Sequence, residues 1–288
     1  MHVKNITTVN ELRSCWQEVR QDTRRGASEL LRQALDGLAE WLSQVEPESD
    51  EKLDLNSLCR ELENLRRDMV GFRNSARLLD KSGIVPLRNS LRDLRGYLDR
   101  VPEKIAELAG ESIPGEKLTV MTVSRSSGVE NILCYLNERG RLHQVLQLES
   151  RPAFEGRDNA EKLLAAGIRV TILPDAAMGC WIEQADIILV GADAVGTNGD
   201  FIGKIGCLPL ACMAERRELP FYVVAESLKV TNSTPSLETV NQRFTGEPLA
   251  WGLKAEGLTL SKVIFERVPA DLVTGYLTES GLQYPPLA

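Results

Sequence analysis

The chain has 288 residues, 43% hydrophobic and 26% charged, with a formal net charge of -7. That balance suits a soluble globular protein of one large or two ordinary domains and argues against a broad cationic surface for direct nucleic-acid binding. No run approaches the roughly 20 apolar residues of a membrane helix, and the start MHVKNITTVNELRSC has no apolar signal core, so a cytoplasmic protein with no membrane partner is expected.

Residues 9 to about 110 read as helical. Arg24-Arg25-Gly26-Ala27-Ser28 precedes the first strong helical pattern. An arginine followed by small residues at a helix start is an anion-binding arrangement. A helix start capped by Ser28 is the ordinary alternative, and it leaves the paired arginines unexplained. Leu30, Leu31, Ala34, Leu35, Leu38, Trp41, Leu42 and Val45 then recur at helical spacing, as do Leu55, Leu58, Leu62, Leu65 and Met69. After Ser82-Gly83 and Pro86 a helix is predicted over Leu87 to Leu98, and after Pro102 a separate short one over Glu103 to Ala109. Ser112-Ile-Pro-Gly-Glu116 reads as a linker or a tight junction.

Beyond it the period changes. Leu118 to Val123, Val145 to Leu148, Val170 to Leu173, Ile187 to Val190 and Phe221 to Val224 are short apolar, β-branched runs. Helical stretches such as Gly128 to Glu138 and Asn159 to Ala166 separate most of them. Such alternation implies a mainly parallel sheet covered on both faces. The predicted class is α/β: a helical N-terminal domain over residues 1–112, then a Rossmann-like doubly wound domain over 113–288 that carries most of the site.

In such a sheet the polar strand ends converge on one crevice. The first strand runs into Thr122-Val-Ser124-Arg125-Ser126-Ser127-Gly128. Hydroxyls and helix N-terminal amides suit a phosphate, and a plain N-cap is the alternative. The second strand ends in Glu149-Ser-Arg151-Pro-Ala-Phe-Glu-Gly156-Arg157, where two arginines could grip phosphate oxygens or lie solvated. The fourth delivers Asp193 into a glycine-rich loop with Asn198, Gly199, Asp200, Gly203 and Lys204. Asp193 suits catalysis, an N-cap or a tie to loop amides, and Lys204 a phosphate clamp or an exposed position. Glu226-Ser-Leu-Lys229 adds a second lysine at another strand end.

Cys15, Cys59, Cys134, Cys180, Cys207 and Cys212 form no CxxC pair, and the histidines are His2 and His143 alone. Buried free thiols are expected rather than zinc ligands or disulfides, and a serine–histidine mechanism would have to use His143.

Together these segments resemble the family of methylthioribose-1-phosphate and ribose-1,5-bisphosphate isomerases and the alpha, beta and delta subunits of initiation factor 2B. The resemblance is carried by RGAS at Arg25 to Ser28, TVSRSS at Thr122 to Ser127, ESRPAFEG at Glu149 to Gly156, VTILPDAA at Val170 to Ala177, GADAVGTNGDFIGKIG at Gly191 to Gly206, ESLK at Glu226 to Lys229, and the tail from Phe265 to Gly281. It implies a helical domain followed by a Rossmann-like one, isologous homodimers, and a phosphorylated sugar or nucleotide as ligand, with no cofactor. In the isomerases a cysteine after the first strand and the aspartate of GAD are the acid–base pair. Asp193 matches that aspartate, but Ser124 stands at the cysteine position. Arg25, Gly26, Ala27 and Ser28 match the phosphate-holding RGA element, and the serines after the first strand, which hold the sugar phosphate in the isomerases, are matched by Ser126 and Ser127. Lys204 matches the lysine of an Asn-Lys pair whose asparagine is here Gly203. A helical-domain arginine of the site is matched by Arg66, with Arg73 as alternative. A thiol with a reference pKa of about 8.5 can exchange a proton near neutrality, and an unassisted serine hydroxyl cannot. The expected function is therefore phosphorylated-sugar or nucleotide binding on this scaffold without the Cys-Asp pair. An active aldose–ketose isomerase using Asp193, and an initiation factor 2B-like regulatory subunit, are the alternatives.

Overall fold

A computed structural model describes residues 6–22, 25–46, 54–232, 237, 256–259, 261 and 263–287. The chain divides into two compact units, Met1–Val101 and Pro102–Ala288.

The first unit is helical: α1 (Val9–Gln21), α2 (Ala27–Ser43), α3 (Leu55–Glu63), α4 (Val70–Leu78) and most of α5 (Ile84–Ser112). A capping box starts α1: the Thr8 hydroxyl accepts from the Glu11 amide, and the Glu11 carboxylate accepts from the Thr8 amide. The apolar face of α2 is buried from Leu30 to Leu42, and the Trp16 indole of α1 donates to the Ala34 carbonyl at 3.0 Å. The predicted helix through Leu65 and Met69 stops earlier, at Glu63; the two side chains stay buried in the turn that leads to α4.

The two helices predicted on either side of Pro102 are one, with Pro102 inside α5. Proline cannot donate to the carbonyl four residues back, which is normally enough to break a helix. That carbonyl belongs to Leu98, and the Arg32 guanidinium of α2 donates to it instead. A tertiary donor replaces the missing backbone one, and periodicity carries no sign of it.

The second unit holds β1 (Leu118–Thr122), α6 (Ser127–Glu138), β2 (Leu142–Leu148), α7 (Glu155–Ala165), β3 (Val170–Leu173), α8 (Met178–Trp181), β4 (Ile187–Gly191), β5 (Ala194–Gly196), β6 (Phe201–Lys204), α9 (Cys207–Arg216), β7 (Phe221–Val224), β8 (Val230–Thr231), β9 (Phe265–Val268), β10 (Gly275–Thr278) and β11 (Gly281–Gln283). The main sheet runs β11-β10-β7-β4-β1-β2-β3. Its strands are parallel except for β11, which pairs antiparallel with β10. Chain order runs one way from β1 through β3 and the other way from β4 through β10. The switch point thus lies between β1 and β4, where such sheets open a crevice at the carboxyl ends.

A second sheet, β8-β5-β6-β9, was not foreseen. The glycine-rich stretch after β4 reads in the sequence as a loop, yet it is a β5–β6 hairpin. Strands of three and four residues show no alternation to read, and β6 finds its other partner in β9, more than 60 residues on. The junction after α5 is held by Arg141, which donates to the carbonyls of Gly110, Ile113 and Gly115. No helix among the described residues is long and apolar enough to cross a membrane.

Candidate functional site

Three non-glycine residues at the strand ends adopt left-handed backbone: Ser124 (φ 65°), Ser150 (φ 63°) and Phe154 (φ 63°). Each such residue carries strain of order 1–3 kcal/mol and persists only where its neighbours hold it, which is common at binding sites. Ser124 is held from both sides. Its amide donates to the Ser150 hydroxyl at 2.6 Å, and its carbonyl accepts from the Gln147 side chain at 3.1 Å. Ser150 is itself fully buried, and Asp175 after β3 accepts from the amides of Ser150 (2.8 Å) and Arg151 (2.7 Å). The ends of β1, β2 and β3 are thus laced together.

Ser126 is the N-cap of α6, its hydroxyl accepting from the Val129 amide at 3.5 Å. It sits against Gly191 at the end of β4: a Cβ on Gly191 would come within 2.4 Å of the Ser126 hydroxyl. Only a residue without a side chain leaves room for Ser126 at the end of β4. Ser127, in the first turn of α6, is exposed, and Arg125 is half-buried. Arg151 is exposed with its guanidinium 4.8 Å from the Phe154 ring centre, and Arg157 lies over the same ring while bonded to Glu149.

Asp193 follows Gly191 and is half-buried; its amide donates to the Ile202 carbonyl at 2.9 Å. The hairpin register therefore sets Asp193 at the same end as Gly203 and Lys204. Asn198 lies at the other end, in the turn, exposed and bonded through its amide to Asp200. Asp200 in turn pairs with Arg267 and accepts from the Ala270 amide at 3.0 Å. The space that a side chain at 203 would enter is filled: a Cβ there would lie 2.8 Å from the Phe201 ring and 3.0 Å from the Cys207 sulfur. Gly203 therefore opens no room for a larger ligand.

Both lysines have acid partners. Lys204 Nζ lies 2.6 Å from Glu155 Oε1 and over the Phe265 ring. Lys229, buried, lies 3.4 Å from Glu226. Glu155 enters the site because Gly156 lets α7 start directly against β2; a Cβ on Gly156 would fall 1.9 Å from the Leu148 carbonyl oxygen. At the start of α9 the Glu266 carboxylate accepts from the amides of Gly206 (2.6 Å) and Leu208 (2.8 Å). Burial pushes Glu266 above the usual carboxylate range, and these amides only partly oppose the shift. Cys207, next to it, is buried; desolvation and then the charges of Glu266 and Asp193 push its thiol far up, against a smaller opposing effect of Lys204.

In the first unit Arg25 donates through its amide and Nε to the Asp22 carboxylate, at 2.9 and 2.8 Å. Gly26, not Ser28, is the N-cap of α2, so Ala27 and Ser28 open the helix proper. Arg24 lies outside the described residues. Arg66 is buried and engaged within this unit: it grips Asp68 and donates to the carbonyls of Val19 and Asp22. Arg73 is half-buried on α4.

None of the six cysteines is in a disulfide, and Cys180 and Cys212 are exposed, against the expectation of buried thiols; both lie on outward faces of helices. His143 is exposed on β2, and no three His, Cys, Asp or Glu side chains among the described residues cluster as a metal site needs. Sequence reasoning missed Glu155, Asp175 and Glu266 as site-shaping residues. Glu155 and Asp175 lie inside motifs singled out for other residues, and Glu266 is placed only by the β6–β9 pairing.

The sequence pattern of the "Initiation factor 2 subunit family" matches residues 23–285. A ribose 1,5-bisphosphate isomerase of Archaeoglobus fulgidus is 28% identical over 97% of this chain and 92% of its own length. A putative translation initiation factor eIF-2B subunit 2-like protein of Pyrococcus furiosus is 30% identical over 86% of this chain and 91% of its own. In fold, the crystal structure of the Pyrococcus horikoshii OT3 translation initiation factor eIF-2B matches with a TM-score of 0.82 at 24% identity, covering 97% of this chain and 98% of that one.

Proposed function

The chain belongs to the initiation factor 2 subunit family, and on that premise we propose that it binds a phosphorylated sugar or a nucleotide at the β1–β4 switch point without the cysteine–aspartate chemistry of the isomerases. The observation that carries this is Ser124. It is held in a left-handed turn by Ser150 and Gln147, the kind of pre-organisation a binding site needs, yet it offers a hydroxyl where an acid–base thiol is required. Cys207 is no substitute, because its thiol is buried and pushed far up. In this reading Arg125, Ser126, Ser127 and Arg151 hold phosphate oxygens, and Asp193 and Lys204 face the sugar. Within the first unit, Arg25, Gly26, Ala27 and Ser28 are proposed as an anion-binding helix start in their own right, tested through Arg25→Ala. Arg66 belongs to the scaffold of its unit, since its guanidinium is already engaged.

A thermal-shift screen with sugar phosphates and nucleoside monophosphates tests the reading. Stabilisation by at least one phosphate ligand is expected, and none by any of them would overturn it. A second reading, an active aldose–ketose isomerase, is favoured by one observation: Asp193 is kept at the same hairpin end as Lys204. Exchange of solvent deuterium into ribose 1,5-bisphosphate, abolished by Asp193→Asn, would establish that reading. The regulatory-subunit reading draws on the eIF-2B-like relative, and co-purification of stable hetero-oligomers would establish it. A homodimer in solution is part of the proposal and is checked by light scattering.

A further inference from the structure

Glu155 and Lys204 form a hydrogen-bonded pair with side chains only 10% and 13% exposed. The pair uses one carboxylate oxygen. The other, Glu155 Oε2, is buried and accepts no hydrogen bond. Buried carboxylate oxygens are normally filled by donors, because an ionised acceptor withdrawn from water without a partner is costly. Lys204 Nζ has a Glu155 oxygen on one side and the Phe265 ring 4.6 Å away on another.

We propose that Glu155 is a specificity-determining residue that turns Lys204 from an anion clamp into a neutral donor–acceptor pair, selecting a ligand that places a hydroxyl there and discriminating against a phosphate or carboxylate at that position. The inference rests on the phosphorylated-sugar reading above. A hydroxyl satisfies both members of the pair: its oxygen accepts from Nζ, and its proton goes to the unfilled Oε2. A phosphate oxygen accepts from Nζ but has no proton for Oε2 and meets a like charge at close range. The pair thus passes over the second phosphate of a bisphosphorylated sugar in favour of the hydroxyl of a monophosphorylated one.

The test is calorimetric titration of the full chain and of Glu155→Gln with ribose 5-phosphate and with ribose 1,5-bisphosphate. Wild type is expected to bind the monophosphate at least as tightly as the bisphosphate. Glu155→Gln removes one negative charge beside Lys204 at nearly constant shape and is expected to move the ratio about tenfold toward the bisphosphate. An unchanged ratio, with both ligands still binding, would overturn the inference and leave the phosphate reading standing. Wild type binding the bisphosphate tenfold tighter would overturn it without any variant. No binding of either ligand by either protein sinks the phosphorylated-sugar reading, and this inference with it.

Discussion

Lys204 and Glu155 meet at 2.6 Å, joining the end of β6 to the first turn of α7, and both side chains are nearly withdrawn from solvent. Removing one member strands the other. Lys204→Met is expected to lower unfolding stability by about 3 kcal/mol, because a buried carboxylate is left without its cation. The double variant Lys204→Met/Glu155→Gln is expected to recover at least half of that loss. Urea denaturation of wild type, Lys204→Met, Glu155→Gln and the double variant measures both, and additive single effects would show that the pair is not coupled.

Pro102 and Arg32 offer a second coupled pair. Arg32 donates to the Leu98 carbonyl that Pro102 cannot serve. Arg32→Ala is expected to cost about 1–3 kcal/mol, the penalty of an orphaned acceptor. In a Pro102→Ala background the same change costs less, since the substituted residue has a backbone amide to donate to Leu98. Equal costs in the two backgrounds would refute this account of the unbroken helix.

Ser124→Cys asks whether the thiol is the missing part of the chemistry. Deuterium exchange into ribose 1,5-bisphosphate is expected to rise at least tenfold in this variant, because a thiol titrates near neutrality and a serine hydroxyl does not. No rise, with ligand binding intact, would place the defect elsewhere in the site.

Gly203→Asn introduces the asparagine that the isomerase resemblance implies before Lys204, but it enters space held by Phe201 and Cys207. It is expected to cost roughly 1–3 kcal/mol of stability by overpacking. Combining it with Phe201→Leu should reduce that cost. Thermal unfolding decides, and an unchanged midpoint for Gly203→Asn alone would mean the position is open after all.

Glu266 supplies a pH dependence. Burial raises its folded-state pKa above the unfolded value, so the folded state holds the proton to higher pH. Its contribution is fully present below the unfolded value of about 4.3 and is lost as pH rises through the raised folded one. Glu266→Gln keeps an acceptor for the α9 amides without titrating. Relative to this variant, wild type is expected to lose stability as pH climbs through that window; parallel curves from pH 4 to 8 would contradict the assignment.

The alternation of short apolar runs with helical stretches marked β1 to β4 and β7 as strands of a mainly parallel sheet, because buried parallel strands need apolar side chains on both faces and leave a continuous mark. The TVSRSS, ESRPAFEG and GADAVG segments likewise fell where strands end, since polar residues after an apolar run have nowhere else to go. The sequence alone also disclosed Ser124 in place of a thiol. Pairing over long distances lay beyond it. The hairpin of β5 and β6 is too short to show a period, and its other partners come from β8 and β9. Lys204 read as a phosphate clamp or an exposed cation, and tertiary structure gave it Glu155, 49 residues earlier. Arg66 read as a ligand arginine, and tertiary structure engaged it with Asp68 and the end of α1. Local pattern records which side chains must leave water; the partner a charge finds depends on distances that exist only once the chain has closed.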